Sequence, residues 1–190
     1  PVPLDPINSP RDDMGACFSD VDPARGVLAL FFYSNRPGGV GGYDLWVSLS
    51  TEGGDWSEPR NLGPSVNSPL SEFSPSLCPG GSVLYFATNR RTGRFEPPAR
   101  WTATLRAAAG VAQYEIFAAK RGGDSSLDFV EPRPVPALNC SGWSQGAIAV
   151  SPLGDFIYFS SNRPGGMGGF DLYRSRILGS DPGPPENLGP

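Results

Sequence analysis

The side chains with the widest chemical scope sit in a segment that occurs twice. Ser34–Trp46 reads SNRPGGVGGYDLW and Ser161–Tyr173 reads SNRPGGMGGFDLY, thirteen residues with three substitutions. Asn35, Arg36 and Asp44 in the first copy correspond to Asn162, Arg163 and Asp171 in the second, each set wrapped around four glycines. Glycines that admit positive φ can turn backbone amides toward an anion or carbonyls toward a cation, and the aspartate adds a carboxylate. A cation held in this way would suit calcium, although the dense acidic spacing of a calcium loop is absent. The same residue types build a tight loop for its own sake, with asparagine capping backbone groups, aspartate taking amide hydrogens and arginine bracing the turn. Recurrence favours that second role, because scaffolding repeats in every unit whereas a single active site need not. The expectation is a structural loop with calcium as the alternative and no other cofactor or metal.

What the chain lacks narrows the remaining chemistry. With His 0, a serine–histidine–acid triad, a cysteine–histidine pair and histidine-based zinc sites are excluded. Carboxylate pairs remain open to glycoside chemistry, and Asp12, Asp13, Asp20, Asp22 and Glu72 are available, but no spacing brings two of them to a working separation. Solvated turn groups are their plainer reading. A net charge of -4 without a basic stripe makes nucleic acid and anionic membranes poor partners. No stretch approaches the roughly 20 apolar residues of a membrane-crossing helix. The chain begins Pro1-Val2-Pro3 and reads as a processed product or a fragment. Cys17, Cys78 and Cys140 fall at three different levels of the repeat, which predicts three thiols rather than a bridge.

The paired segment also serves as a ruler. A broken third copy lies between the other two, with Thr88-Asn89-Arg90 matching the loop start and Tyr114-Glu115-Ile116-Phe117 matching the strand beyond the loop, separated by an insertion of 17 residues. A second anchor agrees: Pro59–Pro64 (PRNLGP) recurs as Pro185–Pro190 (PENLGP), and Ile7-Asn8-Ser9, Val66-Asn67-Ser68 and Leu138-Asn139-Cys140 align after it. Self-similarity at this period signals a repeat architecture. Gly 25 and Pro 22, with short aromatic runs such as Leu30-Phe31-Phe32-Tyr33, predict short strands and frequent turns. In the second unit strands are predicted near 72–77, 83–87, 114–119 and 128–135, and in the first unit the third and fourth near 43–49 and 56–62. Four short strands per unit is the composition of a propeller blade. The expected fold is therefore an all-β propeller of four-stranded antiparallel blades, three in this chain, at about 8–64, 67–136 and 139–190, with an inserted loop at 91–113. Three blades leave two open flanks, so a larger propeller, or closure with another copy, is expected.

Several motifs occur in fixed order: Ser151-Pro152-Leu153-Gly154-Asp155 before Phe156-Ile157-Tyr158-Phe159, then SNRPGG, GGFDLY, and Trp56–Gly63 (WSEPRNLG) closing the first unit. This pattern resembles the TolB-like, WD-like β-propeller repeats of bacterial envelope proteins. The resemblance implies a periplasmic, outer-membrane-associated or extracellular setting. It further implies a non-enzymatic scaffold that binds a protein or an envelope glycan. The alternative is a carbohydrate-active propeller enzyme, a glycosidase or lyase, using carboxylates near the axial channel. Ser50–Trp56 is similar to the Asp-box hairpin of sialidase propellers with its spacing off by one. Trp56 and Trp143 are read as packing residues. Arg94, Phe95, Arg100, Trp101 and Arg106 in the insertion are the binding candidates, since a loop with aromatic and cationic side chains has the composition of a contact hot spot.

Overall fold

The computed structural model describes residues 6–22, 26–50, 54–90, 113–123, 127–179 and 181–190. Their strands form three antiparallel sheets that follow one another along the chain. Sheet one is β1 (Asp13–Asp22), β2 (Val27–Ser34), β3 (Asp44–Leu49) and β4 (Arg60–Asn61), in that spatial order. Sheet two is β5 (Glu72–Leu77), β6 (Val83–Thr88), β7 (Glu115–Arg121) and β8 (Phe129–Pro134). Sheet three is β9 (Gln145–Val150), β10 (Phe156–Ser161) and β11 (Asp171–Leu178), with β12 (Asp181–Pro182) and β13 (Glu186–Asn187) both paired to β11. A single turn of 3-10 helix, Pro79–Gly81, joins β5 to β6, with Gly80 at φ 78°. Among the described residues no helix is long and apolar enough to cross a membrane.

The fourth strand of the first repeat is shorter than expected, whereas β8 matches the strand expected at 128–135. The sequence predicts a full fourth strand at 56–62, but only Arg60–Asn61 pairs with β3, and Trp56 makes one isolated bridge to Ser50. Pro59 and Pro64 bracket that strand, and in sheet three Pro184 and Pro185 separate β12 from β13. Proline has no N–H to give a ladder, so it confines pairing at a sheet edge to short pieces.

The middle strands are apolar on both faces: sheet two lies between the other two sheets, and on the face of sheet one turned away from it Leu30, Phe32 and Trp46 are buried with Ile7 against Trp56. Phe31, Leu45 and Val47 of sheet one pack with Leu84, Phe86, Phe117 and Phe129 of sheet two. Tyr85, Ala87 and Ile116 of sheet two pack with Ile157, Phe159 and Tyr173 of sheet three. Adjacent residues thus point to different cores, which explains why β2 and β6 read as continuous apolar runs rather than alternating ones.

Both joints between sheets close with the same clamp. At the first, Leu45 N–H donates to Asn67 Oδ1 at 2.8 Å and Asn67 Nδ2 donates back to the Leu45 carbonyl at 3.1 Å. At the second, Ile116 N–H donates to Asn139 Oδ1 at 2.7 Å and Asn139 Nδ2 to the Ile116 carbonyl at 3.0 Å. Glu72 N–H to the Tyr43 carbonyl and Gln145 N–H to the Tyr114 carbonyl, both 2.8 Å, complete the pair. The asparagine that follows each PxNLGP-type segment is therefore the residue that pins one sheet to the one before it.

Candidate ligand-binding mouth

The rim where first strands begin, second strands end and third strands begin gathers most of the residues that sequence singled out. Arg36 reaches back from the end of β2 to Asp13 at 2.5 Å and to the Ile7 carbonyl, while its guanidinium lies 4.9 Å from the Phe32 ring and 5.3 Å from the Trp46 ring. Arg90 repeats this with Glu72 at 2.9 Å, the Val66 carbonyl, and the Phe86 and Phe117 rings. Thr88 donates to the same carboxylate at 2.8 Å, and Ser68 does so at 2.6 Å. Arg163 keeps the carbonyl contact, to Leu138, and the stacking on Phe159 and Tyr173. Its repeat, however, has Gln145 where the others have an acid.

Charge follows from that exchange. Burial pushes the Asp13 carboxyl up, but hydrogen bonds from Arg36, Ser34 and Ser9 outweigh it and hold the group below its ordinary value. Arg163, stacked in an apolar slot, is lowered by burial. Gln145 is buried, its Nε2 donates to the Trp143 carbonyl at 3.0 Å, and its Oε1 has no hydrogen-bond partner.

The loop residues act locally. Asn35, Asn89 and Asn162 each accept from the backbone N–H that leads into the first strand of their own repeat, those of Asp12, Ser71 and Ser144 at 3.0, 2.9 and 2.7 Å. Asp44 accepts from the amides of Val40 and Gly41 and from Asn61 Nδ2, and Asp171 from those of Met167 and Gly168. The oxygens that calcium would use therefore take N–H donors. Asp20 and Asp22 lie at the far end of β1 from Asp12 and Asp13, so the five carboxylates named as candidates divide between two rims. Arg94, Phe95, Arg100, Trp101 and Arg106 lie outside the described residues. Trp56 packs on Phe18, with centroids 6.0 Å apart, and beside the buried Leu30, Phe32 and Trp46. All three cysteines are free thiols, and burial raises Cys78.

Above this girdle lies a feature that no sequence motif announced. Tyr33, Tyr43 and Phe73 form a triangle of rings with centroids 5.9, 5.3 and 5.3 Å apart, and Tyr114 meets Phe73 edge-on at 5.2 Å. Beyond it a depression of about 270 Å³ is lined by Tyr33, Phe73, Tyr114, Ser144, Gln145 and Phe170 among others. Gly146 lines the hollow where repeat two has Phe73 at the equivalent position, and Ala87 lines it where repeat one has Tyr33. Tyr43 donates to Asp12 Oδ2 at 2.6 Å, which raises the phenol and fixes an exposed carboxylate at the edge of the cluster. A separate cleft of about 280 Å³ on the opposite rim, lined by Tyr85, Lys120, Glu131 and Arg133, has its charges partly spent in the Glu131–Arg133 pair at 2.8 Å.

The backbone beneath the mouth is irregular in the same place three times. Gly15, Ser74 and Ala147 have φ of 64°, 50° and 47°, each one residue beyond the start of a register shift in its first strand. A side chain added at Gly15 would overlap the Tyr33 ring. Left-handed backbone at serine and alanine is uncommon, and bulges of this kind re-aim side chains beside functional sites. One sequence signal was open to reading: Tyr43, Tyr114 and Phe170 are the same aromatic position, just before the third strand, in every repeat.

No protein-family model matches the chain, and no curated protein does. Solved structures do. An α-L-arabinofuranosidase from Lactobacillus brevis aligns over 98% of this chain and 55% of its own with a TM-score of 0.61 at 11% identity. An N-acetylgalactosamine deacetylase from F. plautii, in complex with blood group B trisaccharide, aligns over 97% and 55% with 0.56 at 14%. A thermostable family-43 glycoside hydrolase aligns over 96% and 60% with 0.53 at 16%. The chain thus spans little more than half of each. Likeness at these identities shows the fold, an all-β, propeller-like architecture of antiparallel four-stranded sheets, and leaves membership of the TolB-like repeat family unshown. It also corrects one expectation. The chain was read as non-enzymatic, whereas the structures it resembles here are carbohydrate-active enzymes.

Proposed function

We propose that this chain is the sugar-contacting part of a carbohydrate-active propeller enzyme, its three sheets being three blades and its aromatic mouth the place where saccharide rings dock. The observation that carries the reading is the aromatic cluster of Tyr33, Tyr43, Phe73 and Tyr114 beside a hollow lined by Gln145 and Ser144. Aromatic faces meet the apolar C–H faces of sugars, while a few placed hydroxyl, amide and carboxylate groups read their hydroxyls. Asp12, held by Tyr43 and Asn35, is the exposed carboxylate in reach of that cluster. Asp13 and Glu72 serve the arginine girdle instead. The solved structures named above, two of them glycoside hydrolases by description and one a deacetylase crystallised with a trisaccharide, support the substrate class. The extracytoplasmic setting rests on the repeat motifs.

The test is titration of the chain with arabinose- and N-acetylgalactosamine-containing oligosaccharides, followed by tyrosine-sensitive fluorescence and NMR, alongside release of reducing ends or acetate. Saturable binding that falls at least tenfold in Phe73→Ala or Tyr114→Ala is expected. Binding indifferent to both substitutions, or no binding of either glycan class, sinks the proposal.

A further inference from the structure

We propose that the cleft on the rim opposite the mouth, between sheets two and three, is a second binding site, and that its ligand is a sugar acid, one saccharide ring bearing a carboxylate. The joint between sheets one and two shows the same place closed. There Phe129, paired with Arg121, meets Phe31 edge-on at 5.9 Å, and Val47 and Leu49 pack beside them. At the next joint Tyr85 stands for Phe31, Ala118 for Val47, Lys120 for Leu49, and Pro182, paired with Ile177, for Phe129. These exchanges take out an aromatic plug and bring in a hydroxyl and an ammonium. A cleft of about 280 Å³ results, at the small end of ligand pockets, with room for one ring rather than a chain.

The charges around the cleft define what it would hold. Among the described residues Lys120 pairs with no carboxylate, so its ammonium is the charge left over and calls for an anion. Glu131 is taken by Arg133 at 2.8 Å and Asp181 has a partner in the chain, so neither calls for a further cation. A carboxylate engaged once keeps lone pairs for hydroxyl donors. Tyr85 is 1% exposed; burial, then the charges of Cys78 and Asp181, push its phenol up to about 12, so it keeps its proton for donation at neutral pH. Val83 and Pro182 add apolar wall for the C–H face of a ring. One anion, several hydroxyls and an apolar face together describe a sugar acid. An amino acid would bring an ammonium to carboxylates already engaged, and a fatty acid would leave their lone pairs unused.

The backbone is strained at the same place. Glu131 has φ of 51°, beside a register shift between Ala118 and Lys120, and bulges of this kind re-aim side chains next to binding sites.

The experiment is titration of the chain with D-glucuronate, D-glucose, hexanoate and free alanine, followed by amide chemical shifts in NMR. Saturable binding of glucuronate alone is expected, with shifts centred on Lys120 and Tyr85. It should weaken about tenfold in Lys120→Met, the scale of one charged hydrogen bond, and at least as much in Pro182→Phe, which restores the plug of the first joint. Lys120 is exposed, so Lys120→Met guards against loss of folding. No glucuronate binding, equal binding of glucose, hexanoate or alanine, or binding indifferent to both substitutions overturns the inference. Phe73→Ala should leave glucuronate binding unchanged, because the mouth lies on the other rim. A chain that binds glucuronate here and no glycan at the mouth keeps this site while the proposed function fails.

Discussion

Repeats one and three carry nearly the same loop and third strand, and the fold uses them differently. In repeat one Leu45 is at 0% exposure and the glycines press on the next sheet; in repeat three Leu172 stands at 61% and its glycines touch nothing. The arginine girdle diverges as well, with Asp13 paired to Arg36 but a neutral Gln145 beside Arg163. Nearly identical residues thus bear load in one place and lie exposed in the other, so the sequence motif reports a geometry, and its neighbours decide the energetics.

Three measurements would break or sharpen that contrast. The largest effect is expected from Arg36→Met, which leaves the part-buried Asp13 carboxylate with only its hydrogen bonds from Ser9 and Ser34 and should cost about 2–3 kcal/mol in urea unfolding. Arg163→Met strands no carboxylate and should cost about 1 kcal/mol, the scale of one hydrogen bond; equal losses would mean that stacking on the rings, rather than charge, holds both arginines. Next, Gly41→Ala should destabilise by about 1–3 kcal/mol as sheet two is forced away. Gly168→Ala, where nothing in the chain meets the added methyl, should stay within about 0.5 kcal/mol of the parent. Similar values would show that the glycines serve loop geometry alone.

The smallest effect is pH dependence. Asp13 has its folded pKa held below the ordinary 3.8, so its contribution is fully present above that value and is lost as pH falls through the folded one. Asp13→Asn should flatten the acid limb of the stability curve below about pH 4, measured by thermal unfolding from pH 2 to 6. Gln145→Ala, at a position without charge, should leave that limb unchanged. An unaltered limb in Asp13→Asn would move the acid sensitivity elsewhere.

Much of the fold was legible because repetition is a strong signal. The glycine loop aligned Ser34, Thr88 and Ser161, and the sheets place all three at the ends of second strands. Asn35 and Asn162 were expected to form Asx turns within their own loop; they accept instead from the Asp12 and Ser144 amides, 23 and 18 residues back along the chain. The mouth was not legible. Tyr33, Phe73 and Tyr114 come from three different strands or strand ends, Tyr33 closing an apolar run and the other two standing singly among polar residues, so nothing along the chain joins them. Nor was the failure of the carboxylate candidates visible, because Asp13 and Glu72 are neutralised by arginines 23 and 18 residues away along the chain. The fourth strand of the first repeat was overestimated because the strand pattern at 56–62 outweighed Pro59, while that of the second repeat was read correctly.

The sequence by itself determined the period, the strand-and-turn grammar and the identity of the loop residues, since these depend on local backbone preference and on comparison of the chain with itself. Tertiary structure alone decided which glycines are pressed by a neighbour, which carboxylates keep their charge in company, and which aromatics meet at the rim. Those properties arise between sheets, where burial and pairing depend on what lies across the joint rather than along the chain.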